Sequence, residues 1–497
     1  MKTWSKMNET SHIIEKLILE VNTSRIDTAH AIKNSIDSFF NRELSPLLEK
    51  LFAEYDLPDA ILRFDELLID LSVSDWTNTS QLKLDLTDRL DKRLKSSIQI
   101  DFKSGKPVFS VINQEDIRVR SLSVTENYAE IFFYFLKNGC YPWYGVEQQI
   151  RELEKKENWE KFFANKAFVS KLKALTLEYN WMFQRFVWQF PTEMILAFLS
   201  KINPVLVNFE RDLLKMTRKL NAEIRNELLL MLFTISTQQE TTRVVSSIQR
   251  NFEKLKEKND RRPAVSSLPD VLSHLIILTV PKKVISNKQI QAIISQRLPG
   301  ISGKGDPGIE THPSGRRENR EATVSKKPDE IQEIAVPNAG LILVHPFLKQ
   351  FFKQISLTDG QNHIRSEKLA VAVQSLHYLA TENEDFFEGN LVLEKFLCGI
   401  PPGMPVQKRS KLTAKIRNEA KILLNEVIKN WPALKNTSPD GLRQLFLQRN
   451  GKLIREKENR FRLVVERKAQ DLLLEKLAWN LSLVKLPWRK DLLYVDW

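Results

Sequence analysis

The residue types best suited to metal binding or nucleophilic chemistry are seven histidines and two cysteines, and their spacing does not suit either task. His12 and His30 lie near the start of the chain, His274 in an apolar helical stretch, and His312 among glycines and prolines. His345 precedes Pro346, His363 sits in a polar turn, and His377 lies near a helix face. None forms a His-x-x-x-His pair with an intervening glutamate, or a His-x-Glu with a Cys-x-x-Cys, so metal catalysis has no support. Cys140 and Cys398 are too isolated for a disulfide framework or a metal cluster, which points to a reducing compartment. There is no Gly-x-Ser-x-Gly elbow, and Gly300 to Lys304 lacks the spacing of a phosphate-binding loop. His345 reads as a turn imidazole bonded to backbone. No catalytic, cofactor or metal site is expected, and no cofactor.

The chain has 497 residues, is 42% hydrophobic and 28% charged, and so has ample material for a core. Its net charge of +13 favours an anionic partner: nucleic acid, a membrane surface or an acidic protein. The charge is uneven. Residues 1–100 carry 13 Lys/Arg and 17 Asp/Glu, whereas residues 406–497 carry 21 and 10, so the two ends suit different partners or simply carry solvated faces. The start of the chain lacks a signal-peptide core, and the apolar runs are too short to span a bilayer. A soluble protein, cytoplasmic where it is made, is the expectation.

Alternating apolar residues predict strands over 12–22 and 59–75, and 3.6-residue periodicity predicts helices over 28–55 (divided at Pro46) and 80–98. A β-α-β-α region over 1–100 follows. Residues 99–126 give no clear signal. Residues 101–298 are expected to hold a helical, aromatic-rich region, with Asn138-Gly139 as a helix end. Its rings (Trp159, Phe162, Phe163, Phe168, Trp181, Phe183, Phe186, Trp188) read as helix core rather than a stacking platform for single strands. Glycines, prolines and charges mark 299–333 as a flexible linker. Residues 334–497 read as a basic α+β module: helices over 347–355, 367–381, 386–397 and 410–431, then a β-β-α-β-β end. The fold expected is mainly α, with small α+β regions at both ends, multi-domain, with a flexible linker.

Several phrases in this last region carry a resemblance. Val336-Pro337-Asn338-Ala339-Gly340-Leu341 with His345-Pro346-Phe347-Leu348, and the dense run Trp431-Pro432-Ala433-Leu434-Lys435-Asn436-Thr437-Ser438-Pro439, resemble the contractile injection system tape measure protein family. Gly441-Leu442-Arg443, Phe446-Leu447-Gln448-Arg449, Leu483-Val484-Lys485-Leu486-Pro487-Trp488 and Tyr494-Val495-Asp496-Trp497 extend it. His12-Ile13-Ile14 and Phe135-Leu136-Lys137-Asn138-Gly139 with Pro142-Trp143 match family phrases nearer the start.

The resemblance implies a structural part of a phage-tail-like particle that sets inner-tube length. The partners it implies are the inner-tube, spike or baseplate and cap proteins, with a homo-oligomer possible. It implies a cytoplasmic location during assembly and then one within the particle, with no membrane insertion. The residues expected at protein contacts are Lys411, Lys415, Arg417, Lys421, Trp431, Arg443, Arg449, Trp488 and Trp497. A ruler and a globular assembly factor both stay open, because 21 prolines interrupt any long helix. The alternative is a basic nucleic-acid-binding protein without catalytic activity, for which charge speaks but no recognised module does.

Overall fold

The computed structural model describes residues 12–56, 60–73, 78–103, 106–111, 119–237, 333–407, 411–457 and 460–497. The chain is mainly helical, with small sheets near both ends. It divides into two compact units, residues 1–130 and 131–497.

In the first unit, α1 (Ile26–Phe39) passes through a π turn at Phe40–Leu44 into α2 (Ser45–Ala53). Pro46 sits in the first turn of α2, where its missing N–H has no helical partner to lose. After β1 (Ala60–Phe64) comes α3 (Thr79–Ser97), whose Leu90 and Leu94 meet Leu44, Leu48 and Leu51 in a small core. The hairpin β2 (Ile98–Lys103) and β3 (Lys106–Val111) and the strand β4 (Val119–Ser123) occupy the stretch that lacked a clear sequence signal. β4 pairs antiparallel with β1. Here Arg63, 4% exposed, donates to Glu130 at 2.5 Å, and Glu130 also faces Arg120 at 3.6 Å.

Two expected strands differ from the structure. Residues 12–25 form no ladder, and of 59–75 only Ala60–Phe64 is paired. The observed order over the described part of the first hundred residues is therefore helix, helix, strand, helix. Alternation chooses which face is apolar, but a strand also needs a neighbouring edge for its N–H and C=O groups.

The second unit begins within α4 (Val124–Asn138). Gly139 ends this helix with φ +68° and its N–H on the Phe135 carbonyl at 2.8 Å, as a left-handed cap requires. Helices α5 (Glu147–Glu154), α6 (Lys156–Ala164), α7 (Lys166–Glu178), α8 (Asn180–Gln189), α9 (Thr192–Ile202), α10 (Glu210–Lys219) and α11 (Ala222–Thr237) follow. Their aromatic residues turn inward: Phe132, Phe183, Phe186 and Phe198 are at most 1% exposed, and Phe183 stacks on Phe233 at 3.8 Å. The helices expected over 241–258, 267–280 and 286–298, and the linker up to residue 332, lie outside the described residues.

Glu333, the last residue of the expected linker, opens β5 (Glu333–Val336). Then come a 3₁₀ stretch Ala339–Val344 and the helices α12 (His345–Gln354), α13 (Leu369–Thr381), α14 (Val392–Leu397), α15 (Ala414–Asn430) and α16 (Pro439–Leu442). Thr413 caps α15, its hydroxyl accepting from the Ile416 N–H. Strands β6 (Gly451–Lys457), β7 (Arg460–Val465), β8 (Leu483–Val484) and β9 (Leu492–Asp496) complete a five-stranded sheet in the order β5-β6-β7-β9-β8. Only the β7–β9 pair is parallel. It needs a crossover, which the 3₁₀ helix Ala469–Lys476 and β8 supply; an α-helix was expected there.

One face of this sheet carries Ile334, Val336, Leu453, Leu463, Val465, Leu493 and Val495, all at most 7% exposed, and packs on α12 to α15. At Gly340 an added Cβ would lie 1.6 Å from the Phe446 carbonyl oxygen, so only glycine lets these two backbones approach.

Candidate functional site

The nine residues expected at protein contacts divide into two groups. Trp431 is fully buried and donates its indole N–H to the Leu473 carbonyl at 3.0 Å. Arg449, also fully buried, donates to the Leu445 and Glu466 carbonyls and to Asp471 at 2.9 Å. Arg443 donates to the Leu379 carbonyl at 3.1 Å and to Glu382 at 2.7 Å. Trp488, half-buried, donates to the Leu397 carbonyl at 2.7 Å, and Trp497 packs on the same core. These five side chains are engaged inside the unit, where they tie the sheet and its crossover to the helices.

The other four surround α15. Its Ile416, Ala420, Leu423, Leu424 and Val427 are buried, and the reverse side faces solvent. Lys411, Lys415 and Lys421 are exposed, and Lys415 and Lys421 make no ion pair with a described residue. Arg417 is held by Glu384 at 2.9 Å and by the Leu412 carbonyl at 2.7 Å. Burial alone would raise the Glu384 carboxyl, but the Leu412 N–H and the Arg417 guanidinium outweigh it and hold the group below its ordinary value. Exposed Ile422 shares this side of α15. Lys411, Lys415 and Lys421 are thus exposed cations at and before α15, whose solvent side also carries Glu426.

A charged cluster deeper in the unit was not anticipated. Arg185 on α8, Glu388 before α14 and Lys395 on α14 are all fully buried. One carboxylate oxygen of Glu388 takes Arg185 at 3.2 Å and Lys395 at 2.6 Å. Arg185 also donates to the Leu136 carbonyl and, at 2.5 Å, to that of Gly403. Lys395 reaches the Pro402 carbonyl at 2.7 Å. The cluster therefore joins helices of the 131–237 bundle to the 388–403 segment. Burial pushes the Lys395 ammonium below its usual range, while Glu388 works in the opposite direction. Neighbouring Cys140 is pushed up to about 11 by burial, so it is not a thiolate at neutral pH.

The same region explains a glycine: a Cβ on Gly139 would lie 2.6 Å from Arg185 and 2.9 Å from Glu388. The sequence does hold a trace of the cluster. Arg185 interrupts Phe183-Gln184-Arg185-Phe186-Val187, and Glu394-Lys395 interrupts an apolar run. A charge enclosed by such residues is either exposed by the helix turn or paired inside.

The His345 Nδ1–H donates to the Ile342 carbonyl at 3.0 Å, the backbone-bonded role expected, and burial lowers its basicity. Among the described residues no group of three or more His, Cys, Asp or Glu is placed to hold a metal ion, and no helix is long and apolar enough to cross a membrane. Of the aromatic residues proposed as core, Trp159, Phe162, Phe163, Phe168, Trp181, Phe183 and Phe186 are buried, which leaves their faces unable to stack on bases, whereas Trp188 is half-buried.

The site so described is a set of exposed lysines at and before α15 together with a buried charged cluster. The model of one family, described as contractile injection system tape measure protein, matches residues 11–497. No curated protein and no solved structure matches the chain.

Proposed function

We propose, from the premise that this chain belongs to the contractile injection system tape measure protein family, that it sets the length of the particle's inner tube and contacts tube, spike or baseplate and cap components. Membership makes it a structural protein of the particle, associated with other particle components. The observation that carries the finer reading is the extent of the match, which runs through both units.

The C-terminal region supplies the docking surface in this reading. Lys411, Lys415 and Lys421 would meet an acidic patch on a particle component, with Arg417 held back by Glu384. Trp431, Arg443 and Arg449 keep the surface in shape from within. Cytoplasmic assembly followed by residence in the particle completes the reading.

The described residues favour compact docking units over a continuous rod. The longest described helix, Thr79–Ser97, has 19 residues and spans only about 29 Å at ~1.5 Å per residue. In this reading any distance-setting role falls to residues 238–332. Electron microscopy of particles assembled without this chain tests the proposal. Absent tubes, or tubes of scattered length, are expected; particles of normal, uniform length would overturn it.

A further inference from the structure

The exposed segment 13–21 is strand-like in sequence and forms no ladder with a described residue. His12 pins its start, reaching Glu49 at 3.0 Å and Asp56 at 3.1 Å with its ring 5.6 Å from Phe52. α1 takes over at Ile26. Every residue from 13 to 25 is exposed, and Ile18, at 74%, is the most exposed large apolar residue described. An apolar stretch tethered at both ends and left in water is a template for strand addition.

Its sequence specifies a partner. Laid antiparallel on a second copy and centred on Ile18, it places Lys16 opposite Glu20 and Leu17 opposite Leu19, each pair occurring twice by symmetry. Ile18 then meets its own counterpart. Opposite charges and aliphatic pairs directly across a ladder are the contacts that stabilise strand pairing. A two-fold arrangement satisfies both with a single segment.

We propose that residues 15–21 form a homodimer contact, an antiparallel two-stranded ribbon between two copies of this chain, with Glu15 opposite Val21 at its ends. The inference rests on the segment and not on the family reading. Such a ribbon alone is marginal in water, so the dimer is reversible and concentration-dependent.

The test uses the full chain, with size-exclusion chromatography and light scattering over a concentration series. The native chain is expected to dimerise. Lys16→Glu puts two like-charged pairs across the ribbon and should weaken the dimer about tenfold or more. Glu20→Lys should do the same, and the double exchange should restore it. Under mild oxidation Ile18→Cys should cross-link, because directly opposed Cα atoms lie about 4.5–5.5 Å apart, within disulfide reach. Val21→Cys should not, because its counterpart is about 20 Å away along the ribbon. Native Cys140 and Cys398 are buried and do not compete. A monomer at every concentration overturns the proposal. So does a dimer indifferent to the charge exchanges, or equal cross-linking at Ile18→Cys and Val21→Cys.

Discussion

Residues 13–21 and strand β5 (Glu333–Val336) show how differently two short apolar stretches can fare in one chain. β5 alternates exposed and buried residues, pairs with β6, and buries Ile334 and Val336 against a large core. The 13–21 segment has a longer apolar pattern, yet it forms no ladder and stays exposed. Composition does not separate them. The difference is a paired edge: the β6–β7 hairpin gives β5 a row of backbone partners, and no described strand pairs with residues 13–21. Burial then follows pairing, because an unpaired backbone cannot be taken out of water cheaply.

The contrast can be broken by placing a charge in each stretch. Val336→Asp buries an uncompensated carboxylate where the native residue is 2% exposed, and should destabilise the second unit by more than about 4 kcal/mol in chemical denaturation. Ile18→Asp should change the stability of the isolated chain by no more than about 0.5 kcal/mol. Equal losses would remove the distinction between the two stretches.

The buried cluster of Arg185, Glu388 and Lys395 has the next largest expected effect. Glu388→Ala removes the one carboxylate shared by Arg185 and Lys395, leaving two buried cations unmatched. A loss of roughly 3–5 kcal/mol is expected by calorimetry. A loss under about 1 kcal/mol would show that water reaches the cluster.

A smaller effect belongs to the first unit. At the start of α4 the Ser123 N–H and hydroxyl both donate to Glu126 at 2.8 Å, and the Glu126 N–H returns to the hydroxyl at 3.2 Å. Ser123→Ala should cost about 1 kcal/mol. Those Ser123 hydrogen bonds hold the Glu126 carboxyl below its ordinary 4.5. A carboxylate depressed in the folded state stabilises above its unfolded value and loses that contribution as pH falls through its folded value. The difference between native and Ser123→Ala chains should therefore shrink on acidification below about pH 4.5. A difference constant with pH would contradict the assigned cap.

The smallest stability effect is expected at the exposed lysines at and before α15. Reversing Lys411, Lys415 and Lys421 to Glu should shift the melting free energy within about 0.5 kcal/mol while impairing tube assembly, as seen by electron microscopy of particles. Normal assembly by that variant would remove these lysines from the docking account.

How much of this was legible in the sequence follows from locality. The turn at Gly139, the β6–β7 hairpin and the backbone-bonded His345 depend on neighbours within a few residues, and the chain shows them directly. β5 was hidden because its partner β6 lies over a hundred residues away, and four residues make no pattern. The burial of Trp431, Arg443 and Arg449 was also hidden. An indole or guanidinium looks the same in sequence whether it meets a partner protein or the Leu473, Leu379 and Glu466 carbonyls of its own chain. Exposure of the lysines near α15 was readable, because the buried face of that helix repeats at i, i+4 and i+7.

The central claim is that this chain sets tube length, and in-frame deletions of graded size within residues 240–330 test it most directly. They spare α4 to α11 and the C-terminal sheet. Tube length measured by electron microscopy should fall in proportion to the residues removed. Tubes of unchanged length in particles that carry the shortened chain would contradict the account.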